Sequence, residues 1–165
     1  MESDSVDRII QAWAQYDPRI RSSSLEVTGR LVLCARYCER AVASALRPFN
    51  LSIADFDVLN TLRRHSDRRG TNPSDLAHSS LITTGAMTAR LNRLERAGLI
   101  RRAPDSADRR GVLVHLTRPG SIKARQALNA VITAAEAFLE PLSTQQQRTA
   151  AAVLKQLLLH HETPP

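Results

Sequence analysis

Between Thr83 and Leu99, Met87, Leu91, Leu94 and Gly98 recur at intervals of four, three and four. That recurrence marks one face of an α-helix. Thr84, Thr88, Asn92, Arg93 and Arg96 lie off that face. Thr83 or Thr84 can cap the helix start, because a Thr oxygen accepts from the free amides of a first turn. Gly98 suits a left-handed stop. A helix with an apolar back and a front of hydroxyl, amide and guanidinium groups suits the major groove. Hydroxyls and amides reach base edges, and arginines reach phosphates or guanine.

The next segment narrows the fold. Leu99 to Arg102 is a short strand candidate, residues 103–111 form a charged turn with Pro104 and Gly111, and Val112 to Leu116 is a second strand candidate. Strand, charged loop and strand behind such a helix predict a winged helix-turn-helix. Residues 85–112 hold seven Arg against Glu95, Asp105 and Asp108, a local net charge of +4. A charge run is usually a solvated face. Here the basic residues coincide with both elements that would meet DNA. The whole chain carries +7 with a pI of about 10.6, which favours a polyanionic partner.

Helical patterns flank this motif. Val6, Ile9, Ile10 and Trp13 form a stripe on a first helix within residues 1–17, ended by Asp17 and Pro18. A second helix runs from about Ser24 to Leu46, ended by Arg47 and Pro48. Ser52 caps a third helix to about His65, and Pro73 opens a short one through about Ser79. Thr117 caps a long helix up to Pro141, and Ser143 caps a last one with Val153, Leu154, Leu157 and Leu158. The winged segment is too small to cover both apolar blocks, whereas a second copy would bury them in a two-fold dimer. The expected fold is one domain over 1–165, mainly α with a small β wing. N-terminal helices (1–50) and C-terminal helices (119–165) dimerise around a winged helix-turn-helix (51–118).

Other classes find little support. Cys34 and Cys38 lie one turn apart and read as small apolar core residues rather than a redox pair. His65, His78, His115, His160 and His161 are scattered, and adjacent residues on a helix do not share a face, so no metal cluster emerges. No phosphate loop or nucleophile with a base points to an enzyme. No run approaches the roughly 18 apolar residues of a membrane span, and the polar start is no signal peptide. Two cysteines without a secretory signal fit a reducing cytoplasm.

Several pieces resemble the MarR family (multiple antibiotic resistance regulators): Leu51 to Leu59, Ser74 to Ala77, Gly85 through Ile100, Asp108 to Gly111, and Leu116 to Gly120. They fall in order along about seventy residues. The resemblance implies a homodimeric winged-helix regulator, often a repressor released by a small ligand, with no resident cofactor. Its wing pattern implies that Asp108 orients the wing while Arg110, beside Arg109, enters the minor groove. Thr83, Gly85 and Ala89 complete the expected DNA-facing set with Thr84, Thr88, Asn92, Arg93 and Arg96.

Trp13 is the only Trp. Arg90 falls on the border of its helix's apolar stripe, and Asp57 lies between Phe56 and Val58. By spacing these residues fit a dimer-core Trp and an internal ion pair. The resemblance adds a second reading. Residues 1–17, Gly85 to Thr88, Arg90 and Leu91 are similar to the family's urate-responsive subgroup. It implies that Trp13, Asp57, Arg90 and Arg102 hold urate or a similar anion. A switch built on these residues is expected to pair Asp57 with Arg102 in the free dimer. Ala89 departs from the subgroup, which carries Asn there, and this touches DNA contact more than the pocket. The alternatives are another aromatic acid, oxidation, or a winged helix that docks protein without specific DNA.

Overall fold

The computed structural model describes residues 2–17, 19, 22–65, 70–79, 84–105 and 111–162, with backbone alone at 77–79 and 84–86. The chain divides into two compact units, Met1–Ala41 and Val42–Pro165.

In the first unit, α1 (Ser5–Tyr16) starts from a capping box that spacing did not anticipate. Asp4 Oδ1 accepts from the Val6 and Asp7 amides at 2.8 and 2.9 Å, and the Asp4 amide donates to Asp7 Oδ2 at 3.0 Å. These bonds meet amides that an α-helix start leaves unpaired. Arg30, on α2 (Ser23–Leu46), donates to Asp4 Oδ2 at 2.8 Å and Asp7 Oδ1 at 2.6 Å. The Asp7 amide first, and Arg30 after it, hold the Asp4 carboxyl below its ordinary range. Val6 is buried where a Cβ on Gly29 would stand 3.1 Å from its Cγ1, so the two helices are in close contact there.

The second unit begins in the last turn of α2. Leu46 is fully buried, Pro48 lies in a 3-10 turn (Arg47–Phe49), and Asn50 takes a left-handed φ of 54°. The helices α3 (Ile53–Arg64), α4 (Pro73–Ser79) and α5 (Thr84–Arg96) follow. Then come β1 (Ile100–Pro104) and β2 (Val112–Leu116), antiparallel, with Ile100 opposite Leu116 and Pro104 opposite Val112. Thr71 adds an isolated bridge to Val114, a pairing that the sequence pattern did not reveal. Val58, Leu59, Leu76, Leu91, Leu94, Ile100 and Val114 form the core with Ala124 and Ala127 of α6 (Arg118–Leu139). The last helix, α7 (Thr144–Glu162), buries no residue within the chain.

Two local features fix the winged segment to α6. Gly98 ends α5 with φ 69°, the left-handed stop its position predicts. Thr117 caps α6 by accepting from the Gly120 amide at 3.0 Å, and its hydroxyl donates to the Gly98 carbonyl at 2.7 Å. Its amide donates to the Leu99 carbonyl at 3.1 Å. The fold is therefore mainly α with a small β wing, as the pattern of periods required.

Candidate nucleic-acid interface and effector cleft

On α5, Met87, Leu91 and Leu94 face the core, each about 1% exposed. Thr88, Ala89, Asn92, Arg93 and Arg96 are exposed. The two-sided helix that the intervals predicted is thus present. Arg96 Nε donates to the Asn92 carbonyl at 3.3 Å, which lays its guanidinium along the outer face. Arg93 is partly engaged elsewhere: its Nη2 lies 2.8 Å from Asp55 Oδ2 and 3.2 Å from the Asn50 carbonyl. Thr83, Asp108, Arg109 and Arg110 lie outside the described residues, and Thr84 and Gly85 are placed by backbone only.

The base of the wing is closed by the Asp105 amide donating to the Gly111 carbonyl at 3.0 Å. Arg101 is exposed, while Arg102 is half-buried and held by Glu95 of α5. Arg102 Nη1 lies 2.6 Å from Glu95 Oε2, and the Arg102 amide donates to Glu95 Oε1 at 3.0 Å. This differs from the expected Asp57–Arg102 pair. Glu95 is seven residues away across the tight α5–β1 turn, so two bonds form locally. Asp57 is half-buried, and among the described residues its side chain makes no hydrogen bond or ion pair.

The carboxylate that meets the α5 arginines is Asp55, two residues before Asp57. It is fully buried. Its Oδ2 accepts from the Ser52 amide at 2.8 Å, the Ser52 hydroxyl at 2.6 Å and Arg93 at 2.8 Å. Arg90 Nη1 donates to the Ser52 hydroxyl at 3.2 Å and stays 3.8 Å from Asp55 Oδ1. Arg90 is 22% exposed along its side chain, in keeping with its place at the border of the stripe. These groups line a cleft of about 710 Å³ with Ala43, Ile53 and Ala89. Sequence reasoning missed Asp55, although Ser52 followed three residues later by a carboxylate is itself a capping signal.

In the first unit Trp13 is 44% exposed and meets Tyr16 edge-on, ring centroids 5.9 Å apart. Cys34 is exposed and Cys38 half-buried, both free thiols. This corrects the expectation of two core cysteines: within the chain they lie near exposed Leu31, Val32 and Tyr37 on α2. Among the described residues, no three His, Cys, Asp or Glu side chains gather as a metal site. No described helix is long and apolar enough to cross a membrane.

Residues 49–111 match the model of the MarR family. The chain is 30% identical over 155 residues to the HTH-type transcriptional regulator PecS of Dickeya dadantii, covering 94% of this chain and 93% of that protein. It is 33% identical over 117 residues to the HTH-type transcriptional repressor Rv2887 of Mycobacterium tuberculosis, covering 70% and 81%. Among solved structures, a MarR mutant from Escherichia coli complexed with operator DNA superposes with a TM-score of 0.72 at 27% identity, over 84% of this chain and 99% of that one. Rv2887 in complex with DNA superposes with a TM-score of 0.64 at 27% identity, over 79% and 96%.

Proposed function

Because the chain belongs to the MarR family of transcription regulators, and is no enzyme, we propose that it is a homodimeric repressor. It binds a palindromic operator and lets go when urate or a similar small anion binds. One observation carries the DNA-binding part: Thr88, Asn92 and Arg96 lie exposed on a helix whose opposite face is locked in the core. A reading helix needs that rigid backing, since base contacts are geometrically demanding. The relatives solved with DNA, one of them with operator DNA, support the same use of the fold.

Thr88 and Asn92 then read base edges, and Arg93 and Arg96 reach base or phosphate, with Thr83, Thr84, Gly85 and Ala89 at the same surface. Asp108, Arg109 and Arg110 form the wing tip, where Arg110 enters a narrow minor groove of concentrated negative potential. Two reading helices in the dimer stand about 34–36 Å apart, one turn of duplex. The exposed apolar residues of α6 and α7 are the surface that a second copy covers.

Urate is a monoanion near neutral pH. Arg90 and Arg102 offer planar donor forks to it, and Trp13 offers a flat face. Arg102 is held by Glu95 on the reading helix. An anion that competes for Arg102 loosens the link between α5 and β1, and an anion beside Asp57 is repelled unless the site rearranges. The ligand shifts DNA affinity only by its differential affinity for the two forms. A tenfold loss corresponds to about 1.4 kcal/mol of coupling.

Titrating urate into the purified protein tests the ligand. Saturable quenching of Trp13 fluorescence is expected and should be weakened by Arg90→Ala, while Trp13→Phe should weaken urate binding as measured by calorimetry. Asp57→Asn should bind urate yet release DNA less. Absence of saturable binding up to millimolar urate would remove urate from the account.

A further inference from the structure

The cleft between the first turn of α3 and α5 holds two buried polar atoms with no hydrogen-bond partner among the described residues, Asp55 Oδ1 and Arg90 Nε. A buried acceptor or donor left unmet is unfavourable, and such pairs are rare in native folds. The other Asp55 oxygen is saturated by three donors, from Ser52 and Arg93. Arg90 Nη1 is engaged with Ser52 and, at 3.8 Å, lies beyond hydrogen-bond reach of Oδ1. One acceptor and one donor on facing elements are therefore left without hydrogen-bond partners.

We propose that this cleft binds a small planar ligand presenting an N–H beside a carbonyl oxygen, the edge of a lactam, imide or ureide. The ligand N–H donates to Asp55 Oδ1, and its carbonyl accepts from the Arg90 guanidinium, which turns away from Ser52 to admit it. Ala43 and Ala89, both small, leave room for a ring. One carboxylate and two guanidinium groups give the cleft a net charge of +1, so a neutral or singly anionic lactam is accommodated. An aromatic carboxylate fits poorly. It brings no N–H to Oδ1 and sets carboxylate oxygens, where its charge resides, directly against that buried oxygen. This rests on the reading of the chain as a ligand-released regulator and specifies the edge its effector shows. The site shares only Arg90 with the four residues of the urate reading. Asp55 belongs to α3 while Arg90 and Arg93 belong to α5, so an occupant acts on the link between them.

Uracil, doubly N-methylated uracil and benzoate are the probes, titrated without DNA into the full chain by ligand-observed NMR. Uracil should bind about tenfold or more tighter than its methylated form, which has no N–H, and tighter than benzoate. Asp55→Asn makes a sharper test. The three donors around Oδ2 hold the amide oxygen there, which puts the NH2 at the Oδ1 position. Uracil binding should then fall about tenfold while benzoate binding rises, a reversal that mere loss of folding would not produce. Ala89→Leu fills the cleft without touching the capping box and should abolish uracil binding. The proposal is overturned if wild type does not bind uracil up to tens of millimolar. It is equally overturned if methylation or Ala89→Leu makes no difference, or if Asp55→Asn leaves the order of probes unchanged. Failure of the repressor reading appears separately, as absent operator binding with the probe pattern intact.

Discussion

His115 on β2 packs its ring so closely over Gly70 that a Cβ there would lie 2.6 Å from Cε1. Gly70 also holds φ 86°, a conformation few other residues accept. Burial first, and the nearby Arg101 charge second, push the His115 pKa below its ordinary 6.5. The folded chain thus favours neutral imidazole. As pH falls through the unfolded value, the unfolded chain takes the proton first, so the stability this group contributes above that pH is lost on acidification. Between about pH 8 and pH 5.5, urea midpoints should fall more for wild type than for His115→Gln; equal slopes would assign the acid sensitivity to other groups. A second residue-scale test concerns Arg102→Ala. It leaves the half-buried Glu95 without its partner and should weaken operator binding through the α5–β1 turn, read as a loss of affinity at fixed salt with the helical circular dichroism retained. At this scale the sequence was legible in part. The face of Thr88, Asn92 and Arg96 followed from period alone. The choice between Asp55 and Asp57 did not, because both lie near the start of α3 and only the packing of α5 decides which one meets the arginines.

The joint between α5 and α6 is held on both sides by backbone contacts. Gly98 turns the chain, Thr117 bonds both Gly98 and Leu99, and Gly120 packs against the Leu99 carbonyl, where a Cβ would stand at 1.9 Å. Gly120→Ala therefore forces α6 and the end of α5 apart. We expect a lower melting temperature and weaker operator binding together, since neither backbone can yield as a flexible side chain could. Thr117→Ala removes the cap and should cost about 1 kcal/mol of stability, measured as a shift in urea midpoint. Caps of this kind were readable beforehand at Ser52, Thr117 and Ser143, because each is a hydroxyl just before an apolar periodic run. The Asp4 box and the Thr71 bridge were not readable. One involves a polar segment without strong periodicity, and the other is a single residue pairing with a strand distant in sequence.

For the whole molecule, the order of elements was set by alternating periods and punctuating Pro and Gly. The apolar surface left over is as informative as the core. Ile132, Leu139, Val153, Leu154, Leu157 and Leu158 are all more than a third exposed in the single chain. In our account a second copy covers them, so sedimentation at micromolar concentration should give twice the chain mass, and Leu154→Glu with Leu157→Glu should give the chain mass alone. A dimer is also what lets one reading helix become two with a fixed spacing, the property a ligand can alter. The most direct test of that claim is the equilibrium affinity of the purified protein for the duplex upstream of its own gene, measured at fixed salt with and without saturating urate. The account predicts preference over unrelated duplex, a two-fold symmetric footprint and at least about tenfold weaker binding with urate. Equal affinity for unrelated duplex, or an operator affinity unchanged by urate, would contradict it.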